Sequence, residues 1–140
     1  MHKQEVKYLL PETESWYNYF SKRVAENTGD WVTVALPDLE QAVFVRGGSI
    51  LPILLHDDCP SILSCISNDV RLEVYPDAQG QAEGTVYLDD GSSYEFQDTD
   101  KGSARLNFSY SEKLMTVSYE HGQNYQALPN VASIVIYGVT

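Results

Sequence analysis

Arg71-Leu72-Glu73-Val74-Tyr75 decides the fold class. Side chains along a strand alternate between two faces, so Leu72 and Val74 share one face while Arg71, Glu73 and Tyr75 share the other. Such a strand is expected to bury one side against a second sheet, which is the sandwich solution. Segments of similar β-rich character recur around it, at residues 6–10, 31–35, 43–46, 84–88, 93–96, 104–110, 114–119 and 133–137. Helical periodicity is nearly absent, since no long window sustains apolar residues at i, i+3, i+4 and i+7. The best helical candidate, residues 15–24, contains Trp16-Tyr17-Asn18-Tyr19-Phe20, whose aromatic density suits a strand or a packed turn. The sequence therefore predicts an all-β protein built of antiparallel β-sandwich units.

The turns support this fold class. Asp77-Ala78-Gln79-Gly80 and Asp89-Asp90-Gly91 put glycine where a left-handed backbone is wanted and Asp where it can bond its own local backbone. Each is expected to join antiparallel neighbours, and Ser111-Glu112-Lys113 to close a further hairpin. Between the apolar run 50–55 and the strand at 71 the composition changes to Asp, Cys, Pro, Ser and Asn, which places a boundary there: one unit over 1–65 and a second over 66–140.

Bulk properties exclude several function classes. A net charge of -11 repels phosphate backbones and anionic membrane surfaces, so neither nucleic acid nor membrane is an expected partner. No stretch approaches the roughly 20 apolar residues that span a bilayer. The N-terminal Met-His-Lys-Gln-Glu lacks the apolar core of a signal peptide, leaving a cytoplasmic chain or a piece of a longer secreted precursor. Cys59 and Cys65 fit neither a zinc ribbon nor a redox CxxC motif; they are candidates for a short-loop disulfide, with unpaired buried thiols as the alternative.

No motif carries bond-breaking chemistry. His2, His56 and His121 lie at the terminus or in loop-like sequence, and no GxSxG elbow is present. The tandem acids Asp89-Asp90 before Gly91 lack the spacing of a calcium loop and read as a hairpin turn, so neither metal nor cofactor is expected. In Val43-Phe44-Val45-Arg46-Gly47-Gly48-Ser49-Ile50-Leu51-Pro52 the double glycine precedes a β-branched strand instead of a helix, so it suits a kink or a close backbone approach better than a phosphate cradle. Asn107-Phe108-Ser109 has the pattern of an N-glycosylation acceptor in a strand-like segment.

Taken in order, Tyr8-Leu9-Leu10-Pro11, Trp16-Tyr17-Asn18-Tyr19, Trp31-Val32-Thr33-Val34 and the stretch from Val43 to Pro52 resemble the proximal C-terminal β-domain of family 31 glycoside hydrolases. Leu72-Glu73-Val74-Tyr75 through Asp89-Asp90-Gly91-Ser92-Ser93-Tyr94 is similar to the start of the distal C-terminal β-domain, and within the family the likeness is greatest to the glucosidase II α branch. The resemblance implies a retaining α-glucosidase parent whose nucleophile and acid/base aspartates sit on barrel strands upstream, so no catalytic residue maps onto this chain and no turnover is expected of it alone. It implies a supporting role, with the catalytic barrel as partner and Trp16, Tyr17, Tyr19, Phe20 and the Arg46-Gly47-Gly48 corner as packing candidates. Arg46 is suited to fork onto a carboxylate or carbonyls. It also implies a parent in the endoplasmic reticulum lumen or another secretory compartment, and two domains clipped at their outer ends. A free-standing carbohydrate-binding sandwich, stacking sugars on the 16–20 aromatics, is the alternative. One departure stands out: the family commonly has Asp where Asn18 stands.

Overall fold

The computed structural model describes residues 4–36, 41–55 and 69–138. Ten strands are described: β1 (Gln4–Leu9), β2 (Trp16–Asn18), β3 (Trp31–Leu36), β4 (Phe44–Arg46), β5 (Ser49–Leu54), β6 (Val70–Tyr75), β7 (Ala82–Asp89), β8 (Ser103–Ser111), β9 (Leu114–His121) and β10 (Val131–Ile136). A single 3-10 turn, Glu95–Gln97, is the only helical element among the described residues. The all-β expectation holds.

The strands form two antiparallel ribbons, β1·β3 and β2·β4, and one six-stranded sheet in the order β10-β6-β5-β7-β8-β9. That sheet is mixed rather than purely antiparallel. β10 runs parallel to β6, and Ser49 of β5 bridges to Glu83 of β7 in parallel. The connection from β9 to β10 carries the chain across the sheet, so β10 arrives beside β6 in the same direction as β6.

Two of the turn and strand expectations are corrected. The turn at 77–80 does not join neighbours, because β6 and β7 lie on either side of β5. Its local chemistry is as anticipated: Gly80 has φ 76°, and Asp77 Oδ1 accepts from the Gln79 and Gln81 N–H groups at 2.9 Å. Residues 93–96 form no strand. The Ser92 and Ser93 N–H groups bond to Asp90 Oδ1 at 3.1 and 3.0 Å and the Glu95 N–H to Ser93 Oγ at 3.1 Å, so polar side chains capture the backbone that a ladder would need. Consequently the turn at 89–91 opens a longer excursion, although the strands it connects, β7 and β8, do pair antiparallel. The 111–113 hairpin forms as read, with Glu112 and Lys113 both at positive φ, 50° and 65°.

β5 and β6 come from opposite sides of the boundary expected at 65/66, yet they pair along their whole length, from Ser49↔Tyr75 to Leu54↔Val70. The boundary segment itself, with Cys59 and Cys65, lies outside the described residues. Strand alternation sorts the side chains of this central pair into two clusters. Ile50, Leu72 and Val74 join Ala82, Phe108 and Tyr110 on one face, while Leu51 and Tyr75 join Tyr17 and Val45 on the other. Each fully buried large side chain of this kind contributes about 1.5–3 kcal/mol.

β6 is therefore covered on both faces, contrary to the half-buried strand expected: Leu72, Glu73, Val74 and Tyr75 all have 0% exposure. Its second cover is the β2·β4 ribbon, tied in turn to β1·β3 by the Tyr8 and Phe44 rings, whose centroids lie 4.7 Å apart with their planes tilted by 47°.

Candidate functional site

The Arg71/Glu73/Tyr75 face of β6 points beneath the 16–25 segment, and the fully buried Glu73 carboxylate is the centre of a polar cluster there. Its Oε2 accepts from Lys22 Nζ at 2.9 Å and from the Tyr75 hydroxyl at 2.6 Å. Its Oε1 accepts from Arg71 Nη2 at 2.9 Å and from the Tyr137 hydroxyl at 3.2 Å. An ionised carboxylate can hold about four acceptor bonds, and here all four are made.

Lys22 reaches this position from an unusual backbone, φ 60°, a region that costs a non-glycine residue about 1–2 kcal/mol. The turn is organised by Asn18, whose Oδ1 accepts from the Phe20 and Ser21 N–H groups at 3.0 and 2.8 Å and whose carbonyl accepts from the Lys22 N–H at 2.8 Å. An aspartate at this position would accept the same two bonds, so the Asn18 departure leaves the turn intact. The Lys22 ammonium also lies over the Tyr19 ring at 3.9 Å, with Tyr137 at 5.2 Å and Tyr75 at 5.6 Å. A partly buried cation near several aromatic rings gains further attraction from them.

Burial by itself would raise the Glu73 carboxyl. The bonds from Tyr75, Lys22 and Arg71 outweigh it and hold the group below the ordinary carboxylate value. Burial would likewise lower Lys22, but its bonds to Tyr75 and Glu73 carry it above the ordinary lysine value. Tyr75 is pushed up to about 12, by burial first and then by donating to Glu73. These shifts hold Glu73, Lys22 and Tyr75 in their ordinary charge states, the opposite of what a general acid needs. Asp90 and Asp98 also shift downward, Asp90 to about 2, through bonds from Ser93 and from the Asp100 and Lys101 N–H groups respectively. None of the carboxyls with a resolved shift is raised, and no second carboxylate is hydrogen-bonded to or bridged with Glu73 among the described residues. Nor does any group of three or more His, Cys, Asp or Glu among them have the arrangement to hold a metal ion.

The packing candidates divide into inward and outward sets. Tyr17 is buried, its hydroxyl donating to the Pro76 carbonyl at 2.8 Å and its ring meeting Tyr75 edge-on at 5.3 Å. The glycine corner is an internal junction: Gly47 N–H donates to the Ser15 carbonyl at 2.6 Å and Gly48 N–H to the Tyr75 carbonyl at 2.7 Å. A Cβ at Gly47 would stand 2.8 Å from Ser15 Cβ, which is the close approach anticipated for the double glycine. Trp16 is half-buried, its indole N–H donating to the Pro11 carbonyl at 3.1 Å, and Tyr19 packs against the Tyr17 cluster. Phe20 is 65% exposed, and the mostly exposed Arg46 guanidinium has Glu14 no nearer than 3.8 Å. Asp89 and Asp90 organise their own turn around Gly91, at φ 66°. Asn107 is exposed in mid-strand.

Sequence reasoning missed three features. One is the Glu73 cluster. The second is Trp31, 64% exposed with Lys7 Nζ 5.0 Å over its ring. The third is an apolar groove of about 400 Å³ on the Leu72/Phe108 face of the large sheet, lined by Leu54, Val86, Leu106, Val117, Tyr119 and Val131 among others. No helix among the described residues is long and apolar enough to cross a membrane.

Comparison with known proteins bears directly on this geometry. Residues 1–51 match the glycosyl hydrolase family 31 C-terminal domain. A probable alpha/beta-glucosidase of Arthroderma benhamiae is 30% identical over 95% of the chain, and an alpha-glucosidase of Schizosaccharomyces pombe 31% over 89%. The chain spans only 15% and 12% of the lengths of these two relatives. Among solved structures, the catalytic subunit in the ER glucosidase II heterodimeric complex superposes on 100% of the chain with a TM-score of 0.75, at 18% identity and over 16% of its own length, a likeness of fold. By its match over residues 1–51 and its likeness to these relatives along most of its length, the chain belongs to the C-terminal region of glycosyl hydrolase family 31.

Proposed function

We propose that the chain is a non-catalytic supporting region of a family 31 α-glucosidase, with a proximal unit over 1–65 and a distal unit over 66–140 that share the sheet β5 enters. The observation that carries this reading is the Glu73 cluster. The fully buried Glu73 carboxylate is paired with Lys22 and Arg71 and saturated with hydrogen bonds, which suits a structural joint better than one half of an acid/base pair. Phe20, Trp31 and Arg46 are the outward groups available to the catalytic barrel of the parent, which acts in the endoplasmic reticulum lumen or another secretory compartment.

The purified chain is expected to release no chromophore from a chromogenic α-glucoside, whereas the parent enzyme carrying it does. Sustained turnover by the pure chain would overturn the proposal. The exposure of Trp31 favours one second reading, a sugar-stacking surface. Malto-oligosaccharides that quench tryptophan fluorescence in the chain but not in a Trp31→Ala variant would establish it in place of the supporting role.

A further inference from the structure

The meander β7-β8-β9 has two unlike faces. Val86, Leu106 and Phe108 line the apolar groove with Val117 and Tyr119. On the reverse face the register sets Thr85, Asn107 and Ser118 in one row across three strands, with Glu83, Ser109 and Thr116 in the next, and all six are exposed. Thr85 Oγ1, directly opposite Asn107, donates to the Leu106 carbonyl at 3.1 Å. Asn107 is thus exposed in mid-sheet, with Thr85 and Ser118 beside it in its row. Asn107-Phe108-Ser109 is also the only Asn-x-Ser/Thr sequence in the chain.

We propose that Asn107 carries an N-linked oligosaccharide and that this polar face stays open to solvent in the parent enzyme, an inference that rests on placing the parent in the secretory pathway. The donor is a lipid-pyrophosphate-linked oligosaccharide, transferred by a membrane oligosaccharyltransferase. Asn107 Nδ2 attacks the anomeric carbon of the terminal N-acetylglucosamine and a C–N bond forms. The bond from that carbon to the pyrophosphate oxygen breaks, lipid pyrophosphate leaves with the electron pair, and the amide proton passes to a transferase carboxylate. β8 is hydrogen-bonded to β7 on one side and β9 on the other, so the transfer occurs on the extended nascent chain before the sheet closes. Alternation then decides the outcome: Asn107 and Ser109 emerge on the polar face, and only the middle residue, Phe108, enters the core.

The test directs the whole chain into the lumen of a eukaryotic host with a cleavable leader, so that the acceptor meets the transferase wherever the parent normally resides. Peptide mapping after amidase deglycosylation in heavy-oxygen water is expected to find Asn107 converted to labelled Asp. The mobility shift should vanish in both Asn107→Gln and Ser109→Ala and persist in Ser109→Thr. Because transfer precedes folding, a poorly folding variant still reports acceptor use. Recovery of unmodified Asn107 from luminal wild-type chain, or modification that survives Ser109→Ala, would overturn the site. Fractionation of the native parent separately tests its compartment, so failure of that placement is distinguishable from failure of the acceptor.

Discussion

The β5·β6 pair and the β7-β8-β9 meander belong to one sheet, yet they are stabilised differently. Around β6 both faces are covered, and the polar side chains on its second face are matched by Lys22 from a turn 51 positions earlier in the chain. The meander has one apolar and one polar face, a short connection at 111–113, and an antiparallel ladder interrupted once, between Arg105 and Leu106. One region is held by contacts distant in sequence and the other by local pairing, so a substitution of the same chemistry should cost far more in the first.

The largest expected effect follows directly. Glu73→Ala leaves Lys22, Arg71 and two phenols without their acceptor and should lower unfolding stability by about 3–5 kcal/mol in denaturant titration. Ser118→Ala on the polar face should stay within about 0.5 kcal/mol. Equal losses would erase the contrast between the regions.

A steric substitution sharpens it next. In Gly47→Ala the new methyl would meet Ser15 Cβ at 2.8 Å and the Pro76 carbonyl oxygen at 3.2 Å, where β2, β4 and β6 converge. Overpacking at this junction should cost about 1–3 kcal/mol. In the meander the expected sign reverses: Lys113→Gly relieves a φ of 65° and should stabilise by about 1 kcal/mol.

Proton linkage tests the β6 cluster as well. The folded pKa of Glu73 is depressed, so its contribution is present above the unfolded carboxyl value and is lost as pH falls through the folded one. Tyr75 is raised from 10.0 to about 12, so its contribution is complete below the unfolded value and is lost as pH rises through the folded one. In stability-pH profiles, Glu73→Gln should flatten the acid limb and Tyr75→Phe the alkaline limb.

How much of this was legible in the sequence follows the same division. The 104–110 and 114–119 strands and their hairpin could be read because alternation and turn chemistry are local properties. The alternation of 71–75 was also read correctly, but period two cannot tell a solvated Glu73 from one buried under a lysine of another segment. The Asp77–Gly80 chemistry likewise predicted a turn without revealing that β5 would lie between the strands it joins. Gly47 was recognisable as a close approach, while its neighbour, Ser15, was not. A lysine just after Tyr19-Phe20-Ser21, and an Arg-Leu-Glu-Val-Tyr strand with one charged face, were the traces of the hidden joint; only the fold brings them together.

The claim that Lys22 and Glu73 join the aromatic corner to the large sheet is tested most directly by a double-mutant cycle on unfolding stability, pairing Lys22→Met with Glu73→Gln. Coupling of about 1 kcal/mol or more is predicted, within the range for contacting groups. Additivity within about 0.3 kcal/mol would mean that the two side chains act independently and that the corner is held by something else.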